Sequence, residues 1–401
     1  MSRAADQVAG RLRRRALAAL CLTEVVSWGV LYYAFPVALV TISADTGWST
    51  TGATAAFSAG LVVSALAGIP VGRWLDRSGP RRVMTAGSLL AVPATVGIGL
   101  APSLAWFTAA WLVAGVAMAA VFYQPAFAAL TGWYGEGRVR ALTTLTLVAG
   151  LASTVFAPLT SVLIDQVGWR GTYLVLAAVL AAITVPVHAC ALTLPWTPPA
   201  VVPGPDDDGA QPAVSWPAFW LLSGALTVTA FGLYATSVTL LIPLLTERGL
   251  SAGLAATTLG LLGAGQLLGR IGYAPLTART TSRQRTVLVV AASAAAIALL
   301  AAVPGPAWLL VAVAVLVGAV RGVGTLLQAT VVADRWGTAR YGSLAGLFSA
   351  PITAAAALAP FGGAVLAEVT GSRTAALATL AGLVSLAAVT ATVGTRAPVV
   401  R

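Results

Sequence analysis

The sequence has no lysine, one histidine, two cysteines and only 12 acidic residues in 401. Charged residues make up 9% of it, against roughly a quarter in an ordinary soluble domain, and 58% is apolar. A water-soluble fold of this length cannot hide so much apolar surface. His188 and the two thiols offer no metal-ligand cluster. Cys21 and Cys190 fall near the ends of expected helices and read as small packing residues, with no structural disulfide expected. No GxxxxGK[ST] phosphate loop occurs, which argues against ATP as the drive, and no hydrolase-type nucleophile motif is present. No cofactor and no enzymatic activity are expected.

What the chain does have is arginine and long greasy runs. All 23 basic residues are Arg, giving a net charge of +11. Most of them lie in short loops between apolar stretches, which is a topology signal rather than a nucleic-acid face. The missing lysine, with abundant Ala, Gly and Val, points to a GC-rich bacterial genome. The Arg11–Arg15 stretch could open a signal peptide, but the apolar run behind it continues from Ala16 to Ile42 and carries Glu24, far beyond an h-region of about 7 to 15 residues. It reads as an uncleaved first helix.

Apolar spans near the about 20 residues that cross a bilayer recur along the chain. They predict helices at Ala16–Ile42, Thr51–Gly72, Val83–Ala101, Leu104–Trp133, Ala141–Ile164 and Thr172–Leu194, then at Pro217–Leu245, Ala252–Leu276, Thr286–Val303, Pro306–Ala333, Gly342–Ala367 and Ala375–Gly394. With both termini inside, the loops and ends on that side hold 18 Arg, the opposite loops hold Arg170, Arg248 and Arg373, and Arg270 and Arg321 remain within helices. That is the positive-inside bias with the right parity, so both termini are expected in the cytoplasm of a bacterial inner membrane. The expected layout is a segment 1–15, a six-helix bundle 16–195, a linker 196–216, a second bundle 217–395 and a tail 396–401. The linker is rich in Pro and Gly and carries Asp206, Asp207 and Asp208 but no Arg, the one exception to the charge bias.

The halves repeat at an offset of about 202 residues. Gly47-Trp48-Ser49 matches Gly249-Leu250-Ser251, and Ala157-Pro158 with Asp165 and Arg170 matches Ala359-Pro360 with Glu368 and Arg373. Two six-helix copies in one orientation form the layout of carriers that alternate access around a midplane site between the halves. The fold class expected is therefore an all-α membrane protein of 12 helices.

Between helices 2 and 3 the chain reads Gly72-Arg73-Trp74-Leu75-Asp76-Arg77-Ser78-Gly79-Pro80-Arg81-Arg82. This resembles the cytoplasmic loop motif of the major facilitator superfamily. The resemblance implies a gate at the cytoplasmic seam, built from Gly72, Asp76, Arg77, Gly79 and Arg81. Helix 11 begins on the same side, where its partial positive charge could hold the Asp76 carboxylate. The equivalent stretch in the second half keeps Arg279 and Arg283 but has Ala278 in place of the Asp. Tyr33-Ala34-Phe35-Pro36, Trp133-Tyr134 with Arg140-Ala141-Leu142, and Gly168-Trp169-Arg170-Gly171 are similar to the monocarboxylate transporter branch and its bacterial relatives. That family carries a Lys after the helix 1 Ala-Phe-Pro and an Asp four residues before an Arg in helix 8. This chain has Val37 in the first place, and Gln266 with Arg270 in the second. The resemblance carries over only the Arg, the group that would bind a carboxylate.

Ionisable residues inside membrane helices cost about 3 kcal/mol at bilayer centre and usually face a cavity. Here they are Glu24, Arg270 and Arg321, two cations against one carboxylate, which suits an anionic substrate; Arg also grips a carboxylate with two parallel bonds. Each has a plainer alternative: Arg270 could snorkel to the interface, and Arg321 and Glu24 could pair structurally. Tyr32, Tyr33, Tyr123 and Gln124 are candidate substrate hydrogen bonders or ordinary interhelical contacts, and His188 reads as packed. Pro36, Pro70, Pro125, Pro158, Pro243 and Pro351 lie within expected helices and allow kinks. Gly68/Gly72, Gly265/Gly269 and Gly318/Gly322 have the spacing for close helix packing.

The leading expectation is a carrier for a small organic anion such as a monocarboxylate, with protons as a candidate coupling ion, the bilayer as solvent, and no nucleic acid or obligate protein partner. The alternatives are an efflux carrier for drugs or other amphipathic compounds, and a membrane sensor or scaffold. Trp111 stands in helix 4 where many proton-coupled facilitators have Arg, and helix 5 lacks the Gly-Pro-rich antiporter signature.

Overall fold

The computed structural model describes residues 3–196, 216–338 and 340–395, so the expected linker, except for its two end residues, and the expected tail 396–401 lie outside the described residues. Every regular element among the described residues is helical. Among the described residues, nine continuous runs are long and apolar enough to cross a membrane. Two of them are compound. Gly79 (φ 76°) breaks Thr50–Gly99, and the Gly135–Gly137 turn and Gly168 (φ 67°) break Leu104–Ala191. Cut at these three interruptions, the described runs are consistent with the twelve spans expected.

Helix 1 comprises Arg3–Trp28, a π-helical turn Gly29–Tyr33, and Ala34–Thr46. Helices 2 and 3 are residues 50–78 and 80–99; helix 4 is Leu104–Val121 continued by Tyr123–Tyr134. Helix 5 covers Arg138–Ala149 and 152–167, and helix 6 covers 169–179, the π-helical turn Leu180–Thr184, and Val185–Ala191. In the second half, helix 7 is Trp216–Tyr234, the π-helical turn Ala235–Leu240, and Leu241–Glu247. Helices 8 to 12 are Ala252–Arg279, Ser282–Ala302, Ala307–Trp336, Tyr341–Val369 and Arg373–Gly394.

The sequence explains the irregular turns. Proline has no N–H for the carbonyl four residues earlier and its ring crowds that carbonyl, so a helix can widen or break there, although Pro70, Pro158 and Pro351 sit inside continuous helix. Pro36, Pro186 and Pro243 stand four residues after Tyr32, Ala182 and Thr239, each inside one of the three π-helical turns. Pro125 stands four residues after Val121, where helix 4 breaks at Phe122 (ψ −168°).

The expected loop 73–82 is corrected: helix 2 continues through Asp76 and Arg77 and only Gly79 leaves helical geometry. Its positive φ suits glycine, a Cβ there would meet the Trp196 ring at 2.8 Å, and Pro80 then restarts the helix. The same holds at Gly168, so the expected turn before helix 6 is a single residue.

The chain divides into two compact units, Met1–Val201 with Thr338–Ala350, and Val202–Gly337 with Pro351–Arg401. Helix 11 contributes its first turns to the first unit. The first unit's core is rich in aromatics: Phe35, Phe57, Phe107, Trp111, Phe156, Trp169 and Tyr173 are all buried in one cluster. In the second unit, helices 8 and 10 approach backbone to backbone. A Cβ on Gly265 or Gly269 would strike the Val315 or Ala319 carbonyl, and one on Gly318 or Gly322 would strike that of Leu262 or Gln266. The small-residue pairs read from the sequence make this contact.

Candidate functional site

In the first unit, the expected site residues gather around Trp28. Glu24 is completely buried, and Trp28 Nε1 donates to its Oε2 at 2.9 Å; its Oε1 has no hydrogen-bond partner among the described residues. The Trp28 ring stacks on Phe122 at the helix 4 break, with centroids 4.0 Å apart, and meets Tyr32 at 5.3 Å and Tyr123 at 5.1 Å. Tyr33 packs edge-on to Tyr32, and Tyr123 stacks on Phe127. From Tyr32 the ring contacts run on through Phe57 to Phe35 and Trp111. Gln124 lies apart, its amide oxygen 2.8 Å from where a Cβ on Gly68 would be. Sequence reasoning missed Trp28, although its spacing of four from both Glu24 and Tyr32 puts the three on one helix face.

In the second unit, helix 7 holds one of the arginines. Arg321, half-buried in helix 10, donates from Nη1 to Ser237 Oγ at 2.9 Å, and its guanidinium carbon lies 3.8 Å from the Tyr234 ring centroid. Ser237 donates its own proton to the Leu233 carbonyl at 2.7 Å, so its oxygen presents lone pairs to the arginine. Arg270 in helix 8 is buried, 8% exposed. Gln266 is half-buried one turn before Arg270, and its backbone carbonyl packs against Gly322, next to Arg321. Tyr234 and Ser237 were not anticipated. Tyr234 had a signal: it lies 202 residues after Tyr32.

Apart from Asp6 near the N-terminus, each described carboxylate can be placed. Glu24 is bonded to Trp28; Asp45 pairs with Arg170, Glu247 with Arg373 and Asp334 with Arg285. Asp76 is held by backbone N–H groups, and Glu136, Asp165 and Glu368 are exposed. The described partners of Arg321, a serine hydroxyl and a tyrosine ring, are neutral, so its charge is stabilised by hydrogen bonding and by the ring's quadrupole without being cancelled.

Asp76 is buried at 5% exposure. Its two carboxylate oxygens accept from the backbone N–H groups of Gly342 at 2.8 Å and Ser343 at 2.7 Å, and the Ser343 hydroxyl adds a third bond. These are orphan donors of the helix 11 N-terminus, where a negative charge is favoured by the helix dipole. Gly72 permits the approach, since a Cβ on it would strike the Gly342 carbonyl. Trp196 Nε1 donates to the Asp76 carbonyl at 3.0 Å and its ring covers Gly79. Arg81 Nε donates to the Ala189 carbonyl at 2.7 Å, and Arg77 lines a cavity of about 310 Å3 together with Arg81, Arg82 and Trp196.

His188 is buried with Nδ1 2.7 Å from Ser88 Oγ, and Cys21 and Cys190 are free thiols.

Among known proteins, a 135-residue stretch is 36% identical to human monocarboxylate transporter 11, covering 33% of this chain and 28% of that one. A 202-residue stretch is 24% identical to the Fujikurins efflux protein of Gibberella fujikuroi, covering 50% and 43%. The aligned regions thus span less than half the length of either relative. Solved structures match over nearly the whole fold. A human organic anion transporter aligns with TM-score 0.72 and 17% identity, covering 94% of this chain and 99% of that one. The fucose:proton symporter of E. coli aligns with TM-score 0.69 and 15% identity, covering 94% and 98%. At these identities the likeness speaks for the fold. The family pattern of the Major Facilitator Superfamily matches residues 20–360. With that match extending over most of a chain whose helices cross the membrane many times, the protein belongs to the Major Facilitator Superfamily of transporters.

Proposed function

We propose that the chain is a secondary active transporter that moves a small organic anion, a monocarboxylate in the leading reading, by alternating access. The observation that carries this is Arg321: a guanidinium in a membrane-spanning helix, next in sequence to the helix 8 contact, held by a neutral hydroxyl and a neutral ring. Keeping such a charge in the bilayer costs about 3 kcal/mol, which a structural role with neutral partners does not explain and an anionic substrate does. Arg270, buried one helix away, supplies the second cation and Gln266 a neutral donor. Within the first unit, Tyr32, Tyr33, Tyr123 and Gln124 are the proposed substrate hydrogen bonders. The local identity to a monocarboxylate transporter supports this substrate class.

Glu24 would carry the coupled proton. Its second oxygen lacks a hydrogen-bond partner among the described residues, a costly state for a buried carboxylate and a tolerable one for a carboxylic acid. Asp76, with Gly72, Arg77, Gly79 and Arg81, would form the cytoplasmic gate, releasing the helix 11 N-terminus as the transporter changes state. The arginine distribution supports a bacterial inner-membrane location with cytoplasmic termini, and 196–216 would be the cytoplasmic linker between bundles 16–195 and 217–395.

The test is uptake by the purified protein in proteoliposomes. Labelled lactate, pyruvate and other mono- and dicarboxylates of up to six carbons are offered with and without an inward proton gradient. Saturable uptake that Arg270→Ala sharply weakens would support the reading. Uptake indifferent to that change would remove Arg270 from the site. A second reading, efflux of amphipathic compounds, draws on the similarity to an efflux protein. It is favoured if none of the acids moves while preloaded apolar dyes leave the vesicles.

A further inference from the structure

Arg321 is the group on which the anion reading turns, and helix 7 does more than stand beside it. An arginine side chain in a wet cavity samples many rotamers, and fixing it costs entropy each time a ligand binds. Here two contacts fix it in advance. The Tyr234 ring covers one face of the guanidinium at 3.8 Å, and Ser237 takes one Nη1–H at 2.9 Å. Ser237 is itself held: its proton goes to Leu233, and it sits in the π-helical turn that accommodates Pro243. Guanidinium has five N–H donors in a planar fork, so one bond to Ser237 leaves the others for a carboxylate approaching in the plane.

The internal repeat shows which parts belong to the second half alone. At the 202-residue offset Tyr234 answers to Tyr32, so the tyrosine is common to both halves. Ser237 answers to Phe35, and Arg321 falls opposite Met118–Ala119. The hydroxyl and the guanidinium it holds occur together in one copy and are both missing from the other.

We propose that Tyr234 and Ser237 are positioning residues that preset Arg321 for the substrate's carboxylate, an assignment that rests on the anion-carrier reading above. The test measures KM and kcat for uptake of the acids in the same panel by Tyr234→Phe, Tyr234→Leu, Ser237→Ala, Ser237→Thr and Arg321→Ala, and by the two disruptive changes combined with Arg321→Ala. Tyr234→Leu and Ser237→Ala are expected to raise KM roughly five- to tenfold each with kcat within about twofold. Ser237→Thr keeps the hydroxyl and should stay near the wild-type KM. Tyr234→Phe keeps the ring but loses the phenol oxygen that accepts from Arg321, so its KM should fall between those of wild type and Tyr234→Leu. In the Arg321→Ala background, neither disruptive change should raise KM further, an outcome that general damage to helix 7 would not give. Wild-type KM in Tyr234→Leu and Ser237→Ala, or effects that persist undiminished without Arg321, would overturn the positioning role and leave the carrier reading intact. Wild-type KM in Arg321→Ala would overturn it too, leaving Arg270 as the anion site. Failure of the wild-type protein to take up any acid in the panel would overturn both.

Discussion

The two halves of this transporter are matched where they hold themselves together and unmatched where chemistry is expected. At the far end of helix 1, Asp45 pairs with Arg170; at the far end of helix 7, Glu247 pairs with Arg373. Arg170 donates to the Gly99 and Ala101 carbonyls that end helix 3, and Arg248 donates to the Leu300 and Ala301 carbonyls that end helix 9. Both put a cation on a helix C-terminus, where orphan carbonyls and the dipole favour one. Ser49 and Ser251 cap helices 2 and 8 alike. At the opposite end Trp133 donates to the Pro195 carbonyl, and Arg335 in the second half donates to that of Thr395. The interiors differ. The first unit fills with rings from Trp28 to Trp111, and the second carries Arg270 and Arg321. Only the first has the Asp76 carboxylate; the second has Ala278 there and a buried Arg285–Asp334 pair instead. On the function proposed above, this contrast would put anion recognition in one copy of a duplicated frame and the Asp76 gate in the other.

That division of labour can be broken experimentally. The largest effect is expected at Arg270. Removing a charge-assisted carboxylate contact costs about 2–3 kcal/mol, so Arg270→Ala should lower kcat/KM for uptake roughly 30- to 150-fold, mostly through KM. Asp76→Asn should do the reverse. The amide keeps the shape but loses the charge that faces the helix 11 N-terminus, so kcat should change roughly tenfold with KM near wild type. If both variants alter KM and kcat alike, recognition and gating are not separated between the halves. A smaller effect is expected from Glu24→Gln. The amide keeps a partner for Trp28 Nε1 but cannot exchange a proton, so uptake should lose its stimulation by a proton gradient while substrate counterflow continues. Retained stimulation would move the proton elsewhere.

Much of this was legible in the sequence, for physical reasons. Hydropathy revealed an all-helical chain with many membrane-spanning stretches because the bilayer imposes a length on every crossing. The repeat was readable because turns such as Gly47 and Gly249, both at positive φ, tolerate few residues. The prolines announced irregular turns, but only coordinates reveal whether a helix answers by widening, as at Tyr32 and Thr239, or by breaking, as at Phe122. Trp28, Tyr234 and Ser237 escaped notice because aromatic and hydroxyl residues are ordinary in membrane helices. What distinguishes them is a partner on the same or another helix: Glu24 for Trp28, Arg321 for the other two.

The smallest effect tests the matched side of the comparison. Asp45 and Arg170 have side chains 56% and 41% exposed, and Glu247 and Arg373 48% and 39%, so each pair is an accessible ion bridge worth about 0.2–1 kcal/mol. Asp45 has one more partner, Trp169 Nε1 at 2.8 Å. Asp45→Asn keeps an acceptor for that indole and removes only the charge, while Glu247→Gln removes the charge of the second pair. If the two bridges are equivalent parts of a repeated frame, the two variants should lower the thermal midpoint in detergent by similar small amounts, each reduced by added salt, and neither should change the KM for substrate. Unequal losses, or a KM change in Glu247→Gln alone, would mean that the second copy's frame has also been drawn into recognition. The symmetry of the ion pairs would then be a relic of duplication rather than a working constraint.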